Sequence, residues 1–223
     1  MPVPARAGSW RLAPGVLCWR LRPCPAVLPD PPSEPSRVDK MTSYAASFDE
    51  FSALPEGTLA QYLDGQIYMS PAPRPRHQEV VLNFAAALRE YALERGGYVA
   101  IAPFDVFLGP ERAVQPDVLY LSAERRSRIG ERGVEGAPTL VAEVLSPSTA
   151  YLDVSVKRRA YEEADVEELW TIDPGARSVM VLTRERAGLT GLGRTAYVYE
   201  AGPVGSTALA GFEVEAADLF ARP

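Results

Sequence analysis

The segment Thr139–Leu145 (TLVAEVL) constrains this chain more than any other. A nearly continuous apolar run, without the polar alternation of a half-exposed strand, suits a central β-strand covered on both faces. Glu143 in its middle is then an anomaly, because a carboxylate is not placed in a sheet interior without a partner. The fold must therefore cover this strand on both sides and bring a partner to Glu143.

Patterning elsewhere supplies the elements. Ser47 is placed to cap a short helix across Phe48–Leu54, ended by Pro55 and Gly57. Thr58–Met69 alternates loosely around Asp64-Gly65, two residues that tolerate positive φ, and predicts a hairpin. After the proline-punctuated stretch Ser70–Arg76, the residues Val80, Val81, Phe84, Ala87, Leu88 and Tyr91 make one apolar stripe. They predict a helix over about His77–Arg95, stopped by Gly96-Gly97. Strands are expected at Tyr98–Ile101, Phe104–Leu108 and Asp117–Leu121, with Gly109-Pro110 turning between the last two. Ser122–Gly136 is polar, Arg-rich and expected at the surface. Beyond the central run, Leu152–Ala164 predicts a second helix. Leu169–Ile172, Val179–Thr183 and Ala196–Tyr199 predict strands, and Ala216–Phe220 a closing helical turn. The order predicts an α/β (α+β) domain: one mixed sheet flanked by helices, with an N-terminal β-hairpin.

Residues 1–40 read differently. They hold nine of the 21 prolines and two of the three tryptophans, with no sustained periodicity. They are expected to form a disordered Pro/Arg-rich leader, with Met41 the better start of translation and residues 41–223 a single domain. Arg11, Pro14, Arg20, Arg22 and Pro23 break up any secretory apolar stretch, and nothing approaches the roughly 20 apolar residues of a membrane span. Cys18 and Cys24, the only cysteines, both lie in this leader. The remainder thus has neither a disulfide framework nor a thiolate metal site, as expected in the cytoplasm.

From Met41 onward 17 basic residues face 26 acidic ones, a formal charge of −9 against −6 for the whole chain. Such a balance argues against a nonspecific nucleic-acid coat, which would normally show a basic footprint. Any DNA contact must use local arginines, and Arg74, Arg76, Arg125, Arg126 and Arg158 are the candidates. Of the 17 basic residues only Lys157 is a lysine. Arg stays charged and presents a rigid fork, whereas Lys is a compact, deprotonatable point charge that can sit beside a reacting water.

Asp117, Glu143 and Lys157 arrive in that order on strand, strand and helix. Cleaving a phosphodiester with water needs a metal to polarise the phosphate, a source of hydroxide, and positive charge near the transition state. Two carboxylates and a main-chain carbonyl, that of Val144, make a hard oxygen site suited to Mg²⁺ or Mn²⁺. The shortage of His and Cys argues against zinc. Lys157 would then orient or deprotonate the attacking water.

The matching segments are Leu63-Asp64-Gly65, Met69-Ser70-Pro71 followed by His77, Gln115-Pro116-Asp117-Val118, VAEVLSPST at 141–149, Asp153…Lys157…Tyr161, and Ile172-Asp173-Pro174. Through them the chain, from about Phe48 to Phe220, resembles the bacterial Uma-two family of restriction-endonuclease-like proteins in the PD-(D/E)XK nuclease superfamily. The resemblance implies an αβββαβ core, metal ligation by Asp117 and Glu143, a catalytic Lys157, DNA as substrate and a homodimer. Leu145 stands where the superfamily usually carries its lysine, so the amine must come from the following helix. Gln61 stands where family members often carry Glu.

Supporting roles are open at several positions. His77 either contacts phosphate, assists acid–base chemistry or bonds to backbone at a helix start. Gln78 and Glu79 could face the same cleft. Asp153 is a helix cap, or it holds Lys157 by an i,i+4 pair. Tyr161 is packing or chemistry. Asp105 supports the cluster or faces solvent, and Asp173 ends a strand in a turn. The leading expectation is a Mg²⁺-dependent DNA endonuclease. The alternatives are a catalytically inactive DNA- or protein-interaction module on a nuclease scaffold, or a metal-dependent hydrolase of a small phosphoester.

Overall fold

A computed structural model describes residues 42–146, 152–184 and 194–221, the side chains of 153–154 and 194–196 excepted. The leader and Pro147-Ser148-Thr149 lie outside the described residues. In chain order the elements are β1 (Thr42–Ala45), α1 (Phe48–Ser52), β2 (Ala60–Leu63), β3 (Gln66–Met69), α2 (Pro75–Arg95), β4 (Tyr98–Ile101), β5 (Val106–Gly109), β6 (Arg112–Val114) and β7 (Val118–Leu121). A 3₁₀ turn (Ala123–Arg128), β8 (Val134–Glu135) and β9 (Leu140–Val144) follow. Then come a π-helical turn (Leu152–Lys157), α3 (Arg158–Glu163), β10 (Glu168–Asp173), β11 (Ser178–Arg184), β12 (Arg194–Tyr199), β13 (Pro203–Gly205), β14 (Glu213–Glu215) and α4 (Ala216–Leu219).

Local chemistry explains most of these boundaries. Ser47 and Glu50 form a reciprocal capping box at the start of α1. Asp64 and Gly65 have φ of 51° and 77°, the left-handed pair that lets a two-residue turn follow the strand twist between β2 and β3. α2 starts with Pro75 in its first turn, two residues earlier than its apolar stripe indicates, because a first-turn residue needs no N–H partner. Gly96, at φ 68°, closes it.

The restriction-endonuclease-like α+β class holds, and α2-β4-β7-β9-α3-β10 is its αβββαβ order. The strands, however, divide between two six-stranded sheets and a two-stranded one, β13-β14, rather than forming one sheet. The first has the order β1-β3-β2-β6-β5-β8 and the second β12-β11-β10-β9-β7-β4. Sequence pattern missed β1, β6, β8, β13 and β14. They have four residues or fewer, and neighbouring ladders, not their own periodicity, hold them extended. The helix expected over Leu152–Ala164 is also corrected: its first part is a π-turn and only Arg158–Glu163 is α-helical.

In the second sheet β9 is central, antiparallel to β7 and parallel to β10, and all five of its residues are buried. Because successive side chains alternate, Leu140, Ala142 and Val144 join a core with Val80, Phe84 and Leu88 of α2. There the Phe84 and Trp170 rings lie 4.9 Å apart. Burying each of these large side chains is worth about 1.5–3 kcal/mol. Val141 faces a second core with Leu63 of β2, Val106 and Val114 of the first sheet, and Ala160 and Tyr161 of α3. Alternation therefore aims Glu143 at the side that α3 and the first sheet cover.

Candidate active site

Position 143 meets its partners on that side. Lys157 Nζ donates to Glu143 Oε2 at 2.8 Å and the Tyr161 hydroxyl donates to Oε1 at 2.5 Å. Lys157 and Tyr161 are four residues apart across α3, so they share a face despite the π-turn before it. The side chains of Lys157 and Glu143 are only 4% and 1% exposed. Two charges so deeply buried are tolerated when each is the other's partner and further hydrogen bonds complete the shell. Lys157 also donates to the Gln115 carbonyl at 3.5 Å.

Asp117 comes to the same place by register. Continuing the antiparallel pairing one residue past Val118↔Ala142 sets Asp117 opposite Glu143. One residue further would set Pro116 opposite Val144, and proline has no N–H to give the Val144 carbonyl. The ladder stops there. The Val144 N–H instead donates to Asp117 Oδ2 at 2.7 Å, and His77 Nε2 lies 3.2 Å from the same oxygen. Amide and carbonyl of one strand residue point the same way, so the Val144 carbonyl faces this interrupted edge beside Asp117.

A cleft of about 380 Å³ gathers Asp117, Glu143, Lys157, His77, Gln61 and Gln115. Its walls include Pro71, Pro73 and Pro103. Among the described residues, no group of three or more His, Cys, Asp or Glu side chains converges as a metal cage. The oxygens of Asp117, Glu143 and Val144 fit a hard divalent cation in donor chemistry, with water for the remaining positions.

The other expected residues divide. Gln78 lines the cleft, whereas Glu79 pairs with Arg76 at 3.2 Å. Tyr161 is both packing and polar partner: it is fully buried in the second core and bonded to Glu143. Asp105 is half-buried and accepts from Gln115 Nε2 at 2.9 Å. Asp173 accepts from the Gly175 and Ala176 amides in a strand-ending turn. The Asp153 side chain lies outside the described residues. Gln61 and Gln115 escaped the sequence reading as organisers: Gln61 Oε1 accepts the Gln115 N–H at 3.1 Å, and Gln115 Nε2 donates to the Thr58 carbonyl at 3.1 Å. The one cue in the sequence is a glutamine set between Ala60 and Tyr62 in an expected strand; it marks the position but not the partner.

Of the candidate DNA-binding arginines, only Arg74 lines the cleft. Arg76 donates to the Phe220 carbonyl as well as to Glu79. Arg125 clamps the Ala137 and Pro138 carbonyls and Glu167. Arg126 reaches the Gly96 carbonyl, and Arg158 pairs with Glu162 one turn on. Nearby, hydrogen bonds from Arg159 and Arg112 hold the Glu163 carboxyl below its usual range.

Comparison with known proteins gives a family and a fold match. The profile of the Uma2 family, described as “Putative restriction endonuclease”, matches residues 48–216. A crystal structure described as a “putative nuclease belonging to DUF820” from Anabaena variabilis superposes with a TM-score of 0.64 at 19% identity, over 78% of this chain and 97% of that one. None of the curated proteins matches.

Proposed function

The chain belongs to the Uma2 family, and from that membership and the cleft geometry we propose that it is a divalent-metal-dependent DNA endonuclease. The observation that carries the reading is the meeting of Asp117, Glu143 and the only lysine after residue 40 in one cleft. A bound Mg²⁺ or Mn²⁺ would polarise a phosphoryl oxygen and make bound water more acidic. Asp117, Glu143 and the Val144 carbonyl are the residues that would hold it. Asp117 is fixed for that task by the Val144 amide and His77. Glu143 is fixed by Lys157 and Tyr161. Lys157, held between Glu143 and the Gln115 carbonyl, orients the attacking water and offsets charge on the phosphate. The cysteine-free sequence after residue 40 suits a reducing compartment, and we take the domain to act in the cytoplasm.

The test is cleavage of circular DNA, single-stranded and supercoiled, by the full chain with Mg²⁺ or Mn²⁺. Wild type should open circles; Asp117→Ala and Glu143→Ala should not. Undiminished cleavage by either variant sinks the assignment. Binding of DNA without cleavage by wild type would favour the inactive interaction module instead, and hydrolysis of small phosphoesters alone would favour the small-substrate reading.

A further inference from the structure

The depth of the reacting groups, the size of the cleft and the fate of the arginines bear together on the form of the substrate. Lys157 and Glu143 are nearly sealed from solvent and Asp117 is only 17% exposed. A phosphate must therefore descend below the surface, between the strap that carries Pro71, Pro73 and Arg74 and the wall at Pro103. At about 380 Å³ the cleft has the volume of a site for one small ligand. A stacked duplex keeps its phosphates on a stiff outer surface, whereas an unpaired strand can splay one nucleotide into a pocket.

Surface charge points the same way. A protein that grips a duplex neutralises about 6–10 phosphates with cationic side chains. Among the described residues Arg76, Arg95, Arg112, Arg125, Arg158, Arg159 and Arg184 are each paired with a carboxylate of this chain. Arg126 and Arg128 donate to main-chain carbonyls, and Arg132 and Arg177 lie over the Phe107 and Phe220 rings. Among the described residues that line the cleft, the arginine is Arg74, next to Pro71 and Pro73, whose flat rings a base can rest on.

We propose that this cleft takes DNA as an unpaired strand, a single strand or a flap, one nucleotide deep, and not as a duplex laid across the surface. The proposal rests on the nuclease reading and narrows its substrate. Its test uses the full chain with Mn²⁺ and three labelled substrates: an oligonucleotide, its blunt duplex, and that duplex bearing a single-stranded flap. Cleavage rates and binding, the latter by fluorescence anisotropy, are measured across a salt series. The strand and the flap should be cut faster, and bound more tightly, than the duplex by about ten-fold or more, with a log–log salt slope of about −2, as two or three phosphate contacts to a single strand give. Arg74→Ala should raise KM for the single strand several-fold and leave kcat in place. Equal or preferred cutting and binding of the blunt duplex, or a slope of about −6 or steeper, overturns the proposal. Hydrolysis of none of the three overturns the nuclease reading instead, and the binding comparison still decides the preference for unpaired DNA.

Discussion

Two glutamates are buried in neighbouring parallel strands of one sheet, Glu143 in β9 and Glu168 in β10, with exposures of 1% and 0%. Their surroundings differ in kind. Glu168 accepts from the Trp170 indole, from the Thr207 amide and hydroxyl, and from the Ala208 amide. All of these donors are neutral, three of them come from one turn, and the carboxylate serves to pin that turn to the sheet. Glu143 is held by an ammonium and a phenol, and it opens on a cleft that also contains Asp117 and His77. A buried carboxylate is thus not a site by itself. Partners that can carry or exchange a proton, and access for a substrate, separate chemistry from architecture.

This contrast can be broken experimentally. The largest expected effect is on cleavage: Glu143→Gln should lower the rate by about a thousand-fold or more, while Glu168→Gln should leave it near wild type. A folded Glu168→Gln protein without activity would erase the distinction. Next comes Lys157→Arg, which keeps the charge but neither the compact amine nor its capacity to lose a proton. A fall of about a hundred-fold in kcat is expected, and wild-type turnover would make the lysine structural. In stability the order reverses in interest. Glu168→Ala strands several buried donors and should cost about 3 kcal/mol in urea unfolding, with the activity of the folded fraction retained. The smallest effect belongs to Tyr161→Phe, which removes one hydrogen bond from Glu143 and should cost about 1 kcal/mol. Its sharper readout is kinetic: kcat should fall while KM holds, whereas an unchanged kcat would leave Tyr161 to packing alone.

The legibility of each feature followed its range along the chain. Glu143 stood out because a charge interrupts an apolar run, and Lys157 because the surrounding sequence writes Arg instead. Glu168 did not stand out, since it precedes the apolar core of its strand and three of its four donors lie 39 or 40 residues away. Gln61 and Gln115 were legible as positions but not as organisers for the same reason: the hydrogen bonds that join Gln115 to Gln61 and Thr58 span 54 and 57 residues, and no local pattern encodes that pairing. Short strands such as β6 and β8 were invisible because two or three residues cannot show a period.

Sequence alone determined the hairpin turn at Asp64-Gly65, the long helix and its glycine stop, the double-sided burial of β9, and the need for a partner at Glu143. These rest on φ preference, side-chain periodicity and the cost of an unpaired charge, all local quantities. Only the tertiary structure decided that Lys157 and Tyr161 are the partners and that Asp117 stands opposite Glu143 where Pro116 interrupts the ladder. It alone closed two sheets around a narrow cleft. Those outcomes depend on register and on packing between segments distant in the chain, where a shift of one residue would turn the same side chains to the other face.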